Sequence, residues 1–195
     1  GSPAALGCRI PMKVCILSDS HDHIALIDAA VGDAKAAGAE AILHCGDLVA
    51  ASTLHCLEKY GLPVHIIHGN NTGDLYALTR LAHKPGGVVR FHGMDAGIEL
   101  AGKRIFLVHY PHYAHAMAAT GDWDLVCCGH SHKVEIAEQK TARVASPIWS
   151  TQAPSVALAR HRPPGCSATW RACSSSCTRC PNHSSIGTEW LAMSD

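Results

Sequence analysis

Two patterns of apolar and polar residues follow one another along the chain. In the first half, short apolar runs end in polar loops, as Lys13–Leu17 does before Ser-Asp-Ser-His-Asp, which is typical of buried parallel strands. Apolar residues then recur at three- and four-residue spacing, which predicts an amphipathic helix that ends near Gly38. The apolar face of this helix comprises Ile24, Ile27, Val31 and Ala34.

The same alternation of strand and helix continues to about residue 82. The predicted strands are Ala41–His44 and Pro63–Ile67, and the predicted helices are Ser52–Tyr60 and Asp74–Ala82. Ser52 is expected to cap the first of these helices and Gly61 to end it. The first half therefore predicts a βαβαβ unit, an α/β arrangement with polar residues at the carboxyl end of every strand.

The second half is richer in strands. A hairpin turn is expected at Gly102-Lys103 and a helix at His112–Ala119. The predicted strands are Val88–His92, Ala96–Leu100, Arg104–His109, Leu125–Cys128, Val134–Ala137 and Thr141–Ala145. From about Ser146 the periodicity is lost, which is not the pattern of a packed segment.

Charge and hydropathy exclude several classes of protein. The 195 residues carry 16 Lys plus Arg against 16 Asp plus Glu, so there is no strong nucleic-acid signal. Apolar runs such as Val14–Leu17 and Leu125–Cys128 are far shorter than the roughly 18 residues that a membrane helix needs. No membrane association is expected.

The ten cysteines fall into two groups. Six lie singly or adjacent, mostly in apolar runs, where a free thiol behaves as a small buried hydrophobe. The other four lie in the Ser- and Arg-rich tail, where a zinc cluster or a disulfide knot is a weaker alternative. The first group comprises Cys8, Cys15, Cys45, Cys56, Cys127 and Cys128, and the second Cys166, Cys173, Cys177 and Cys180. Reduced thiols indicate a cytoplasmic protein.

Five predicted strand ends carry side chains that bind metals. These residues are Asp19 and His21, Asp47, Asn70, His109, and His130 with His132. Ligands of α/β sheets bind beyond the carboxyl ends of the strands, so we expect these side chains to converge. A mixture of carboxylate, imidazole and amide oxygen suits Mn, Fe, Co, Ni or Zn.

Each residue also has an ordinary structural interpretation. Asp19 could cap a helix that begins near Asp22, and Asp47 could stabilise a turn after Gly46. Asn70 and Asn71 are common turn residues. Two histidines flanking a serine after an apolar strand are rarely a structural requirement, so the full set favours a metal site. The other histidines are interpreted as strand or surface residues, with His23 near the mouth of the site.

Taken together, the five blocks resemble a known family. Asp19-Ser20-His21, Gly46-Asp47, Gly69-Asn70, His109 and Gly129-His130-Ser131-His132 resemble, in this order, the calcineurin-like metallophosphoesterases, specifically their small bacterial and archaeal phosphodiesterase branch. The resemblance spans about residues 12–145. It implies a single-domain, four-layer α/β/β/α sandwich.

The resemblance also implies the roles of the site residues. One metal ion would be held by Asp19, His21, Asp47 and His132, and the other by Asp47, Asn70, His109 and His130. Asp47 would bridge the two ions, and Asp47, Asn70 and His109 would be the catalytic residues. Two divalent ions are expected, with Mn²⁺ as the first candidate and Ni²⁺, Fe²⁺ or Zn²⁺ as alternatives.

The implied activity is hydrolysis of a small phosphate-ester substrate, a phosphodiester, by a hydroxide that bridges the two metals. Two alternatives are a non-catalytic protein-interaction scaffold of the same fold, and a phosphomonoesterase or phosphoprotein phosphatase. Many relatives have His after the Asn of the third block, where Asn71 stands here, which leaves Asp74, His112 or water as the general acid. Tyr110 stands where the family more often has Gly, and it is expected to narrow the substrate opening. Whether the protein forms a homodimer is left open.

The chain is expected to divide at two positions. Residues 1–11 are interpreted as a tag remnant or irregular N-terminus, residues 12–147 as the metallophosphoesterase domain, and residues 148–195 as an irregular, frameshifted or disordered tail. The codons permitted for Trp149 to Ala157, read two nucleotides later, can spell Val-Asn-Pro-Gly-Thr-Val-Gly-Gly. This phrase resembles the family segment that is missing here, so we hypothesise a frameshift near Ile148.

Overall fold

The computed structural model describes residues 12–133 and the backbone of five strand segments between residues 135 and 192. The helices are α1 (Ile24–Ala36), α2 (Leu54–Glu58), α3 (Leu75–Ala82) and α4 (Pro111–Thr120). The first seven strands are β1 (Lys13–Leu17), β2 (Ala39–His44), β3 (Val64–Ile66), β4 (Val89–Phe91), β5 (Asp95–Leu100), β6 (Lys103–Val108) and β7 (Leu125–Cys127). They are followed by β8 (Glu135–Glu138), β9 (Arg143–Ser146), β10 (Trp149–Ser150), β11 (Ala153–Pro154) and β12 (Leu191–Ala192).

Two five-stranded sheets form the framework. The first has the order β12-β1-β2-β3-β4, in which β1 to β4 run parallel. The second has the order β5-β6-β7-β9-β8, with β6, β7 and β9 parallel to one another. The βαβαβ prediction is confirmed. The strand predicted at Val88–His92, which the sequence groups with the strands of the second half, lies in the first sheet as β4.

Alternating residues of β6 show how the sheets pack. Ile105 and Leu107 belong to the same buried cluster as Val14 and Ile16 of β1, whereas Val108 packs with α4 in a second cluster. This alternation follows from the two-residue period of a strand. The chain is a single mixed α/β domain, and the four-layer arrangement of the sandwich stays a prediction.

Helix α1 covers the first sheet with the face that its periodicity predicts, with one exception. Ile27, Ala30, Val31 and Ala34 are buried, but Ile24 is 54% exposed. Ile24 is the first residue of the helix, where the chain is still leaving the loop. The N-cap is His23, whose Nδ1 accepts from the backbone N–H of Leu26 at 3.4 Å, so the structural interpretation of Asp19 as a cap is wrong.

The predicted cap at Ser52 is also wrong. Ala51–Thr53 form a 3-10 turn before α2, and neither this turn nor α2 has a side-chain cap. Thr53 instead donates its Oγ1 hydrogen to Asp22 Oδ1 at 2.8 Å, and Asp22 also accepts from the backbone of Val49 and Ala50. The carboxylate of Asp22 therefore holds this loop against the loop after β1.

Several sequence predictions lie outside the described residues. These are the interpretations of residues 1–11, most of the tail from 148, and the four tail cysteines. In the part of the chain that is described, no helix is long and apolar enough to span a bilayer.

Candidate metal centre

The seven predicted ligands lie in loops that directly follow strands. Asp19 and His21 follow β1, Asp47 follows β2, and Asn70 follows β3. The second sheet contributes His109 after β6, and His130 with His132 after β7. Because β1, β2, β3, β6 and β7 carry these loops at their carboxyl ends, the two sheets together bring the side chains to one end of the fold.

Backbone hydrogen bonds join these loops to one another. The N–H of Asp19 donates to Gly46 O and that of His21 to Asp47 O, both at 2.9 Å. The N–H of His130 donates to the Asp19 carboxylate at 2.9 and 3.1 Å, which connects the first sheet to the second. The position of Asp19 is therefore determined by both sheets.

The loops are also strained. Seven non-glycine residues among those described have positive φ, and all but Ala101 lie in these loops. They are Asp19, His21, Asp22, Asp47, His130 and His132. Such conformations cost free energy and persist where the surrounding structure enforces them, typically at functional sites.

Asp19 and the two outer histidines form the first group of candidate ligands. One ligand atom from each of Asp19, His21 and His132 lies within 4.8 Å of the others. His132 Nε2 is 3.5 Å from Asp19 Oδ1, and the rings of His21 and His132 stack with centroids 5.5 Å apart. Asp19 is buried, while the two histidines are accessible, with side chains 41% and 48% exposed.

A second group lies deeper and comprises Asp19, Asp47 and His109. His109 Nε2 is 3.5 Å from Asp47 Oδ1, and His21 Nε2 is 3.7 Å from Asp47 Oδ2. The two oxygens of Asp47 thus face one histidine from each predicted ligand set. This is the arrangement that a bridging carboxylate requires.

His109 presents Nε2 to this group because its other nitrogen is occupied. Nδ1 lies 2.8 Å from the carbonyl oxygen of Cys45, which can only accept, so Nδ1 carries the proton. In the neutral ring Nε2 therefore has a lone pair, and it lies 2.8 Å from Asn70 Oδ1. His130 Nδ1 is 2.7 Å from the same amide oxygen. Lone pairs at these separations repel one another unless a proton or a cation lies between them, so the donor set fits a divalent ion.

Asn71 contacts the candidate bridging carboxylate, a contact that sequence reasoning missed. Its side-chain amide donates to Asp47 Oδ2 at 2.7 Å and its backbone N–H to Asp47 Oδ1 at 2.9 Å. Both oxygens of the candidate bridge are thereby oriented by one residue. The signal was present in the Asn-Asn pair, because a second amide beside a buried carboxylate supplies the donors that the carboxylate needs.

His44 and Ser20 are buried side chains that pack under the same loops, on the side of the core. His44 is fully buried and its Nε2 lies 3.0 Å from Ser20 Oγ. Burial lowers the pKa of His44 to about 3, against an ordinary value of 6.5, with the nearby Asp47 carboxylate opposing the shift. His44 is therefore neutral in the folded protein, and the prediction of a strand histidine is confirmed.

The aromatic side chain of Tyr110 stands beside the site. Its ring centroid is 4.9 Å from that of His130 and 5.2 Å from that of His109, with edge-on geometry. Asp74, one of the suggested general acids, accepts from the N–H of Ala77 and caps α3. His112 packs on Tyr113, with centroids 4.2 Å apart.

Comparison with known proteins identifies the class. The sequence profile of the calcineurin-like phosphoesterase superfamily domain matches residues 12–163, so the chain belongs to this superfamily. It is a metallophosphoesterase, an enzyme class that uses divalent metals to hydrolyse phosphoesters.

Individual proteins are similar to this chain in sequence or in fold. The chain is 27% identical over 140 residues to phosphodiesterase MJ0936 of Methanocaldococcus jannaschii, which covers 70% of this chain and 82% of that protein. Its fold is similar to that of an archaeal phosphodiesterase, with a TM-score of 0.62, 24% identity and 70% and 84% of the two chains covered. It is also similar to Vps29 from Entamoeba histolytica in complex with zinc, with a TM-score of 0.52, 18% identity and 72% and 76% covered.

Proposed function

We propose that the protein hydrolyses phosphodiesters at a two-metal site, in which the seven predicted ligands hold the ions. Asp19, His21, Asp47 and His132 would hold one ion, and Asp47, Asn70, His109 and His130 the other. The observation that carries the proposal is the position of Asp47, buried between His21 on one side and His109 on the other. When two divalent ions are bound, they neutralise charge on the phosphoryl oxygens and lower the pKa of a shared water towards neutrality.

The protein supplies orientation to this chemistry. Cys45 O keeps the proton of His109 on Nδ1, so that Nε2 is available at the site. The amide of Asn71 holds Asp47 in one rotamer. The buried carboxylates of Asp19 and Asp47 concentrate negative charge where the two metal ions would bind. The side chains of His21 and His132 are partly exposed, so the site would be open to substrate from solvent.

The proposal extends to three properties beyond this site. Mn²⁺ is the expected ion, the cytoplasm the expected location, and a homodimer an open alternative. A non-catalytic protein-interaction scaffold of the same fold is the alternative, and the full set of candidate ligands favours catalysis over it.

Hydrolysis of chromogenic esters tests the proposal. Bis(4-nitrophenyl) phosphate and 4-nitrophenyl phosphate are incubated with added Mn²⁺ and the parent protein, His132→Ala, Asp47→Asn, or the control His55→Ala. His55 is an exposed histidine on α2, with a side chain 61% exposed. We expect faster cleavage of the diester by the parent and the control, and strong loss in the other two variants. Equal activity in all four proteins would remove the two-metal mechanism, and faster cleavage of the monoester would remove the diester preference.

A further inference from the structure

A cavity of about 400 Å³ adjoins the candidate metal centre. It lies between α4 and the second sheet, and most of its lining side chains are apolar or aromatic. The apolar and aromatic residues that the argument uses are Met94, Phe106, Val108, Tyr113, Ala116 and Met117. At one end the cavity is lined by Gly69, His109 and Tyr110, which flank the metal centre.

We infer that this cavity is a subsite that binds one organic group of the substrate ester, and that this group is a flat, apolar ring. The inference rests on the proposed function. It adds a substrate class, phosphodiesters with an aromatic substituent, to the reaction type.

Continuity with the metal centre is the first argument. His109 lines the cavity and also places Nε2 2.8 Å from Asn70 Oδ1. Gly69 separates the cavity from Asp47, and a Cβ at Gly69 would lie 2.0 Å from Asp47 Oδ1. The backbone of Gly69, which lines the cavity, therefore packs directly against this carboxylate. A substituent on a phosphoryl group bound beside Asp47 and His109 is adjacent to this space.

Size and chemistry are the second argument. A cavity of about 150 Å³ can bind benzene, so the available volume has room for a single or fused ring. Met94 is 65% exposed and Tyr113 54% exposed, and a ligand ring would cover both. Thioether and aromatic side chains form favourable contacts with such rings.

Charge excludes a competing class of substituent. Among the described residues that line the cavity, His68 and His109 are the only basic side chains, and Asp95 supplies a carboxylate. A second phosphate or a carboxylate on the substrate would meet the carboxylate of Asp95 and, among these described lining residues, no Lys or Arg. The lining favours a neutral ring over an anionic substituent.

Binding of two phosphonates to the Mn²⁺-loaded protein tests the inference without requiring turnover. Phenylphosphonate and methylphosphonate share the anionic group and differ in the ring, and calorimetry gives the ratio of their Kd values. We expect the parent to bind the phenyl compound at least about tenfold more tightly, the ratio expected when about 60 Å² of ring surface leaves water.

Two variants of the same helix make the test specific. Ala116 lines the cavity, whereas Ala119, an exposed residue of the same helix, is not among its lining residues. Ala116→Phe therefore places a ring in the cavity, and Ala119→Phe is the matched control. The phenyl-to-methyl preference should fall towards one in Ala116→Phe and persist in Ala119→Phe. If thermal melting shows that Ala116→Phe is not folded, Ala116→Leu replaces it.

The outcomes separate the two proposals. A parent protein that hydrolyses diesters but shows no preference for the phenyl compound, or an unchanged preference in the cavity-filling variant, would overturn the subsite and leave the proposed function standing. A parent that hydrolyses no diester would overturn the proposed function, and the binding ratios would still decide whether the cavity accepts a ring.

Discussion

The hydrogen bond between Asn71 and Asp47 gives a prediction that depends on the structure in detail. Asn71→Ala removes the side-chain amide that donates to Asp47 Oδ2 at 2.7 Å. The backbone N–H that donates to Oδ1 at 2.9 Å remains. The variant therefore loses one of two donors to a carboxylate that is only 1% exposed, and it changes no predicted ligand.

The expected magnitude follows from the type of bond. A hydrogen bond to a charged group contributes about 1.5–3 kcal/mol. Loss of a residue that orients a metal ligand typically lowers metal affinity by about 10–100-fold, or about 1.4–2.8 kcal/mol. The range for the hydrogen bond and the range for the loss of metal affinity agree. This is expected, because Asp47 is a predicted ligand of both ions and must keep its orientation to bind either of them. We expect Mn²⁺ affinity to fall by about 10–100-fold in this variant.

Calorimetric titration of chelator-treated protein with Mn²⁺ measures this change. The control is Thr72→Ala, an exposed residue of the same loop, which should leave the affinity unchanged. The reasoning would be refuted if Asn71→Ala bound Mn²⁺ with the parent's affinity and stoichiometry. A loss of equal size in Thr72→Ala would show that the loop, and not the amide, controls binding.

Three further predictions concern stability and the gene. The pKa of His44 is lowered to about 3 by burial, so between about pH 6.5 and 3 the unfolded chain binds a proton there that the folded protein does not. The unfolding free energy of the parent should therefore fall on acidification more steeply than that of His44→Gln, by about 1.4 kcal/mol per pH unit, and equal slopes in urea titrations would contradict this. A Cβ at Gly129 would lie 1.8 Å from Ser18 Oγ, so Gly129→Ala should lower the thermal midpoint by an amount corresponding to about 1–3 kcal/mol, with partial recovery in Ser18→Ala/Gly129→Ala. An unaltered thermal midpoint in Gly129→Ala would contradict the close packing of Gly129 against Ser18. Resequencing the gene around the codons for Trp149 to Ala157 should reveal a shifted frame, and an intact frame shared by close relatives would end that hypothesis.

Local patterns were sufficient for most of the framework. The strand Lys13–Leu17 has the bounds that its apolar run predicts. Helix α3 differs from its prediction by one residue at its start, and α4 by one residue at each end. Strand and helix periodicities are properties of neighbouring residues, so they can be recognised in the sequence without tertiary information. The predicted cap at Ser52 failed because Thr53 and the adjoining backbone bond to Asp22, about thirty residues away in sequence.

By itself, the sequence determined the element types, the parallel βαβαβ unit, and the fact that every candidate ligand lies at the end of a strand. Tertiary structure decided which oxygen of Asp47 faces which histidine, that Asn71 orients this carboxylate, and that an apolar cavity opens beside His109. These properties depend on distances between residues 24 to 64 positions apart. Such distances are set by how strands pair within the first sheet and by how the two sheets pack, and no local pattern in the chain encodes them.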